Sequence, residues 1–171
     1  LANQLNIFNK IFKRIYILPT VDINKKDIVA GKDYNIISKF RHFDLKLLKN
    51  FFSEIRYLIE DFKLGFLKNY NFKLLVRSFI VYLKSILLFT FLDKYLSKNY
   101  IETRNLTLYS FWFDDYSFGI ILLKIKYSNL KIISGAHGQD LFEERHVGSR
   151  IPFREKSVSI IDNVFICSKE G

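Results

Sequence analysis

The rhythm of apolar and polar positions changes twice along the chain. In the first dozen residues, apolar side chains recur at Leu1, Leu5, Phe8, Ile11 and Phe12, the spacing of a helix. RIYILPT, Arg14–Thr20, is β-branched and aromatic and closes on Pro19, which predicts a strand feeding a loop. Val21–Phe43 carries Asp, Asn, Lys and Gly31 and leaves room for one short strand. Helical spacing returns after Asp44, a candidate cap, with Leu45, Leu48, Phe52, Ile55, Ile59 and Phe62 on one face. Asn71 is a candidate cap for a second helix, Phe72 to about Ser97. Its middle is apolar nearly all round, which predicts burial on two sides. Lys73, Arg77, Lys84, Lys94 and Lys98 mark its wetter side. The two helices predict a hairpin over about 44–98, turning near Leu64–Tyr70.

From Asn105 strands alternate with helices. Leu106–Trp112, Leu130–Ala136 and Asn163–Ser168 read as strands. Asp114–Tyr127 reads as a capped helix. Pro152–Asp162 reads as a second helix, with Pro152 at its first position. His137–Pro152 reads as a polar loop. This alternation predicts βαβ units and a parallel sheet covered by helices on both faces. The expected class is α/β, Rossmann-like, with a βαβ core over about 105–171 and the helical hairpin beside it. Pro and Gly number only 2 and 7, too few to mark an internal boundary, so one domain over 1–171 is expected.

Composition sharpens this picture. Aromatic content of 17% argues for a packed core and against disorder. The abundant Lys, Asn, Ile, Phe and Tyr also reflect the bias of an AT-rich genome. The net charge of +10 favours anionic partners: nucleic acid, an anionic membrane face or phosphorylated substrates. No arginine–glycine block, zinc spacing or RNA-binding signature supports nucleic acid, which drops behind the other two. A single cysteine, Cys167, excludes an internal disulfide and suits a reducing compartment. Leu1–Lys13 does not read as a signal peptide. Phe79–Leu92 is the most apolar run; it is shorter than a membrane span of about 20 residues and contains Lys84. The absence of Met and the ending CSKEG predict a piece of a longer polypeptide.

Ligands of an open parallel sheet gather at the carboxyl ends of its strands. Three such ends are legible: Ser110, Phe111 and Trp112 followed by Asp114 and Asp115; Ser134, Gly135, His137, Gly138 and Asp140; and Ser168, Lys169 and Gly171. His137 is the candidate reactive group, flanked by Gly135 and Gly138, which would let a ligand approach the backbone. Against it stands the plain alternative of a loop histidine. Asp114 and Asp115 read more readily as caps than as acids, and Glu143 and Glu144 as a charged first turn. His42 and His146 read as solvated loop residues. Cys167 reads as a buried, inert thiol.

Over its last third the chain resembles the N-terminal domain of glycosyltransferase family 4 enzymes. The resemblance is carried by the strand ending Y-S-F-W, the segment HGQDLFEE, then IPFR, and IDNVFICSKEG. It implies the GT-B fold, truncated here to its acceptor-side domain, with the donor-binding C-terminal domain and its E-x7-E motif absent. It implies retaining transfer of a hexosyl group from a nucleotide sugar to a lipid-linked or polysaccharide acceptor in cell-surface glycan synthesis, with no cofactor and no metal. His137 corresponds to the family's histidine near the donor sugar, where charge builds on the departing phosphate. Asp140 matches the aspartate after H-G-x and implies loop shaping or helix capping. Where the family often has arginine before A-H-G, this chain has Gly135.

The implied site is therefore His137 as catalytic residue, with Gly135, Gly138, Asp140, Trp112, Arg154 and Ser168 around the substrate. Arg150 joins Arg154 as a candidate for anionic groups. The implied location is cytoplasmic, with peripheral attachment to the inner face of the plasma membrane. Alone, this chain is expected to be inactive. The alternative is a non-catalytic basic α/β module that binds an anionic membrane or phosphosugar ligand.

Overall fold

The structure, a computed structural model, describes residues 15–17, 34–36, 45–68 and 72–166. The chain divides into two compact units, Leu1–Phe43 and Asp44–Gly171. In the first, β1 (Ile15–Ile17) pairs in parallel with β2 (Tyr34–Ile36), placing one strand in each region read as able to hold one. The helix expected over Leu1–Phe12 lies outside the described residues, as do the caps Asp44 and Asn71.

The second unit is mixed α/β. It opens with helices α1 (Leu45–Lys68) and α2 (Phe72–Lys98), the expected hairpin. After a short 3-10 turn the chain enters β3 (Thr107–Ser110), α3 (Ser117–Lys126), β4 (Lys131–Ala136), the single turn α4 (Gly138–Leu141), α5 (Arg154–Val158) and β5 (Asn163–Ile166). The strands form one parallel sheet in the order β3–β4–β5. Ser110 pairs with Ser134, and Ala136 pairs with Ile166. The carboxyl ends therefore lie along one rim, an arrangement compatible with a Rossmann-like fold. The segment expected to be a polar loop, 137–152, is more ordered than that: it holds α4 and two 3-10 turns.

The face that α1 turns inward differs from the one its apolar spacing predicts. Leu48, Phe52 and Ile59 are exposed, while Tyr57, Leu58 and Asp61 are buried. The reason is polar. Arg150 donates Nη2 to Asp61 Oδ1 at 2.6 Å and Nη1 to Oδ2 at 3.1 Å. The Ser78 hydroxyl donates to Oδ2 at 2.7 Å and the Phe153 amide to Oδ1 at 2.8 Å. Burying an acid requires such partners, and they lie only on the inner side, so Asp61 sets the helix rotation. Gly65, one turn on, leaves room there: a Cβ would come within 3.2 Å of the Arg150 guanidinium.

α2 is buried on two sides, against α1 and α3, as its composition predicts. Its third face leaves Phe72, Val76, Phe79, Ile80 and Leu83 exposed. The apolar run is longer than the Phe79–Leu92 stretch suggests. Among the described residues Phe72–Lys98 is the one helix long and apolar enough to cross a membrane, and half of its most apolar window is buried inside the fold. Asp93, fully buried near its end, pairs with Lys46 at 2.6 Å and accepts from Tyr127 at 2.8 Å, with Lys126 on its other side. Burial alone would raise this carboxyl's pKa; the lysines and Tyr127 outweigh it and hold it below the ordinary value. α3 crosses α2 closely because Gly119 lacks a side chain: a Cβ there would stand 2.6 Å from the Ser85 carbonyl oxygen.

Candidate functional site

β3 ends at Ser110, and the chain bends through Phe111 and Trp112 before α3. Two hydroxyls fix that bend. Ser110 donates to the Trp112 carbonyl at 2.6 Å and Ser117 donates to the same oxygen at 3.1 Å. The Trp112 ring is thereby held out at the rim, 43% exposed. His137 follows directly on β4 and is half-buried. Its ring lies against the Trp112 indole, with centroids 4.1 Å apart and planes inclined by 43°. Phe111 stands behind at 6.2 Å. The imidazole is thus neither interior nor loose; it rests on an aromatic support at the sheet's carboxyl edge.

Asp140 positions the histidine's backbone. Its Oδ2 accepts the His137 amide at 3.0 Å, while the Asp140 amide donates to the His137 carbonyl at 2.8 Å. This reciprocal pair closes the first turn of α4. Gly138 is half-buried beside it, and a Cβ there would lie 2.9 Å from Arg145 Nη1. Arg145 is an exposed cation stacked on Phe142 at 4.6 Å, and the sequence pattern does not single it out. Gly135 is buried, and the close approach it permits is internal: a Cβ would meet the Phe111 carbonyl oxygen at 2.8 Å. Ser168 and Cys167 lie outside the described residues, as does His42.

Behind the rim a cleft of about 220 Å³ opens between α2, the β3–α3 connection and the segment leading into α5. Asp140 reaches it from the rim. Asp115 is tied to α2 by Arg77 and Lys84, each at 2.8 Å. These two basic residues, read from sequence as a solvated helix side, are recruited by an acid more than thirty positions away. No local pattern could have signalled that. Asp114 faces the same cleft and gives one oxygen to the Tyr116 amide at 3.0 Å. The residue is exposed overall, yet partial desolvation of its carboxyl in the cleft raises its pKa above the ordinary value; the Tyr116 hydrogen bond opposes this, and Asp115 and Asp140 add to it. It is therefore a cleft acid as well as a turn former. His146, expected to be solvated, is half-buried in the cleft wall.

Arg154 enters from the start of α5. The residue before it, Phe153, takes a left-handed backbone with φ of 59°. A bulky side chain rarely adopts this, at a cost of order 1 kcal/mol. It is held there by the amide bond to Asp61 and by ring stacking on Phe118 at 4.4 Å. This backbone, rather than Pro152, begins the helix; Pro152 lies outside it. Arg154 donates to the Phe113 carbonyl at 3.1 Å and lies over the Phe113 ring at 4.0 Å. Its Nε is buried without a hydrogen-bond partner among the described residues. Burial lowers its pKa, and the fields of Asp140 and Glu143 partly restore it. Arg150, the other expected anion contact, is spent on Asp61 and is only 4% exposed, so it cannot reach a ligand.

Among the described residues no group of three or more His, Cys, Asp or Glu side chains could hold a metal ion. Chemically, the site offers an imidazole on an indole at the rim and, behind it, a cleft with carboxylates and a guanidinium whose Nε is unsatisfied among the described residues. No family model, curated protein or solved structure matches this chain.

Proposed function

We propose that this chain is the acceptor-side, Rossmann-like domain of a retaining GT-B glycosyltransferase. It would take part in moving a hexosyl group from a nucleotide sugar to a lipid-linked or polysaccharide acceptor. The observation that carries the reading is His137: a half-buried imidazole at the carboxyl edge of a parallel sheet, resting on Trp112, with its backbone held by Asp140. In such a transfer the leaving nucleoside diphosphate gains negative charge while the sugar becomes oxocarbenium-like. An imidazole N–H held at that edge hydrogen-bonds the sugar or the phosphate side without reorganising during reaction. The nucleotide itself would be held by a second domain carrying the E-x7-E motif.

The test is transfer of labelled hexose from nucleotide sugars by the longer polypeptide that the reading requires. His137→Ala is expected to lower turnover about 100-fold, the scale of losing one preorganised donor. Full activity in that variant would overturn the assignment.

A second reading, a non-catalytic module on an anionic membrane, is favoured by the exposed apolar residues of the hairpin together with the net charge of +10. Co-sedimentation that is equal with neutral and anionic vesicles would remove its electrostatic part.

A further inference from the structure

Arg154 presents an unusual combination. It is half-buried, and among the described residues no carboxylate forms an ion pair with it and its Nε has no hydrogen-bond partner. Buried guanidinium donors are rarely left unsatisfied. In the same cleft Asp114 keeps one carboxylate oxygen beyond its turn hydrogen bond. Acid and base thus face one space without pairing with each other. We propose that this cleft binds the ring of a single neutral hexose, whose hydroxyls bridge the Arg154 guanidinium and the Asp114 and Asp140 carboxylates.

Size supports this. The volume of about 220 Å³ falls below the roughly 300–1,000 Å³ of pockets for drug-sized ligands, and suits one ring. Charge separates a sugar from a phosphate. Arg77, Lys84 and Arg154 face Asp114, Asp115 and Asp140, three cations against three carboxylates. Arg77 and Lys84 are already engaged by Asp115. Besides His146 in the wall, a phosphate would find Arg154 as its one uncommitted guanidinium among these cations, beside two carboxylates that repel it. A hydroxyl both donates and accepts, so it satisfies guanidinium and carboxylate together. Tyr116, Ile151 and Pro152 supply the less polar wall that a sugar's C–H face needs. The site leans on the acceptor-side reading for its role, but not for its occupancy.

The experiment titrates the 171-residue chain with the methyl glycosides of glucose, galactose, mannose and N-acetylglucosamine, each to about 50 mM, and separately with inorganic phosphate. Saturation-transfer NMR and calorimetry read binding. At least one glycoside is expected to bind. Asp114→Asn and Arg154→Lys should each weaken it about tenfold, the loss expected for one charge-assisted hydrogen bond. Lys49→Ala, on an exposed part of α1, should leave it unchanged. Circular dichroism confirms folding, and Asp114→Asn, a near-isosteric change, carries the test if Arg154→Lys unfolds. The proposal is overturned if no glycoside binds, if phosphate binds in preference, or if the folded variants bind like the wild type. Glycoside binding without transfer by the longer polypeptide keeps the cleft and removes the transferase reading; His137-dependent transfer without glycoside binding does the reverse.

Discussion

Arg150 and Arg154 belong to the same short stretch, RIPFR, and end in opposite situations. Arg150 meets Asp61 through both terminal nitrogens, and the remaining acceptor capacity of Asp61 goes to Ser78 and to the Phe153 amide. Both terminal guanidinium nitrogens and both carboxylate oxygens there are bonded within the chain, and the pair is fully buried. Arg154 has one carbonyl, one ring face and an unsatisfied Nε, in a cleft that opens to solvent. The first cluster is closed and positions α1, α2 and the loop before α5. The second is open and has bonding capacity left for something else. What separates the two arginines is saturation, not burial or residue type.

The contrast can be broken most directly at Asp61. Asp61→Ala leaves Arg150 buried and unpaired, so urea unfolding should show a loss of about 3–5 kcal/mol. A loss below about 1 kcal/mol would mean the closed cluster does not hold the fold. Arg154→Ala should cost far less, about 1 kcal/mol for lost contact with Phe113, while abolishing glycoside binding. Comparable losses from the two arginine clusters would erase the distinction between them.

Asp114→Asn gives the smallest and most diagnostic effect. A carboxyl whose pKa is raised on folding binds protons more readily in the folded state. Wild-type stability therefore falls as pH rises from the ordinary value of 3.8 through the folded value. At pH 7 the asparagine variant should be slightly more stable, by less than about 1 kcal/mol because solvent still reaches the group. Below pH 3.8 that difference should vanish. An asparagine variant less stable at pH 7 would show that Asp114 is a structural acid after all.

Much of the scaffold was legible from periodicity. Both hairpin helices, β3, α3, β4 and β5 fall where apolar spacing puts them, because period and chain direction are local properties. The helix before β5 is shorter than its pattern suggests, since Phe153 and not Pro152 makes the entry. The rotation of α1 was misread because a buried acid outweighed an apolar stripe. At the candidate site, His137, Trp112 and Asp140 were legible as residues at strand ends. The cleft was not: Asp115 with Arg77 and Lys84, Asp114 and the unsaturated Arg154 come from separate elements, and Asp115 read as an ordinary cap.

By itself, then, the sequence determined which segments are helix or strand, that β3, β4 and β5 run parallel, and that a histidine follows β4. These depend on the steric and hydrophobic preferences of residues close together in the chain. Tertiary structure alone decided which face of α1 turns inward, which of two neighbouring arginines is consumed, and which acids share a cleft. Those outcomes depend on desolvated charges finding partners, and Asp61 and Arg150 are 89 positions apart.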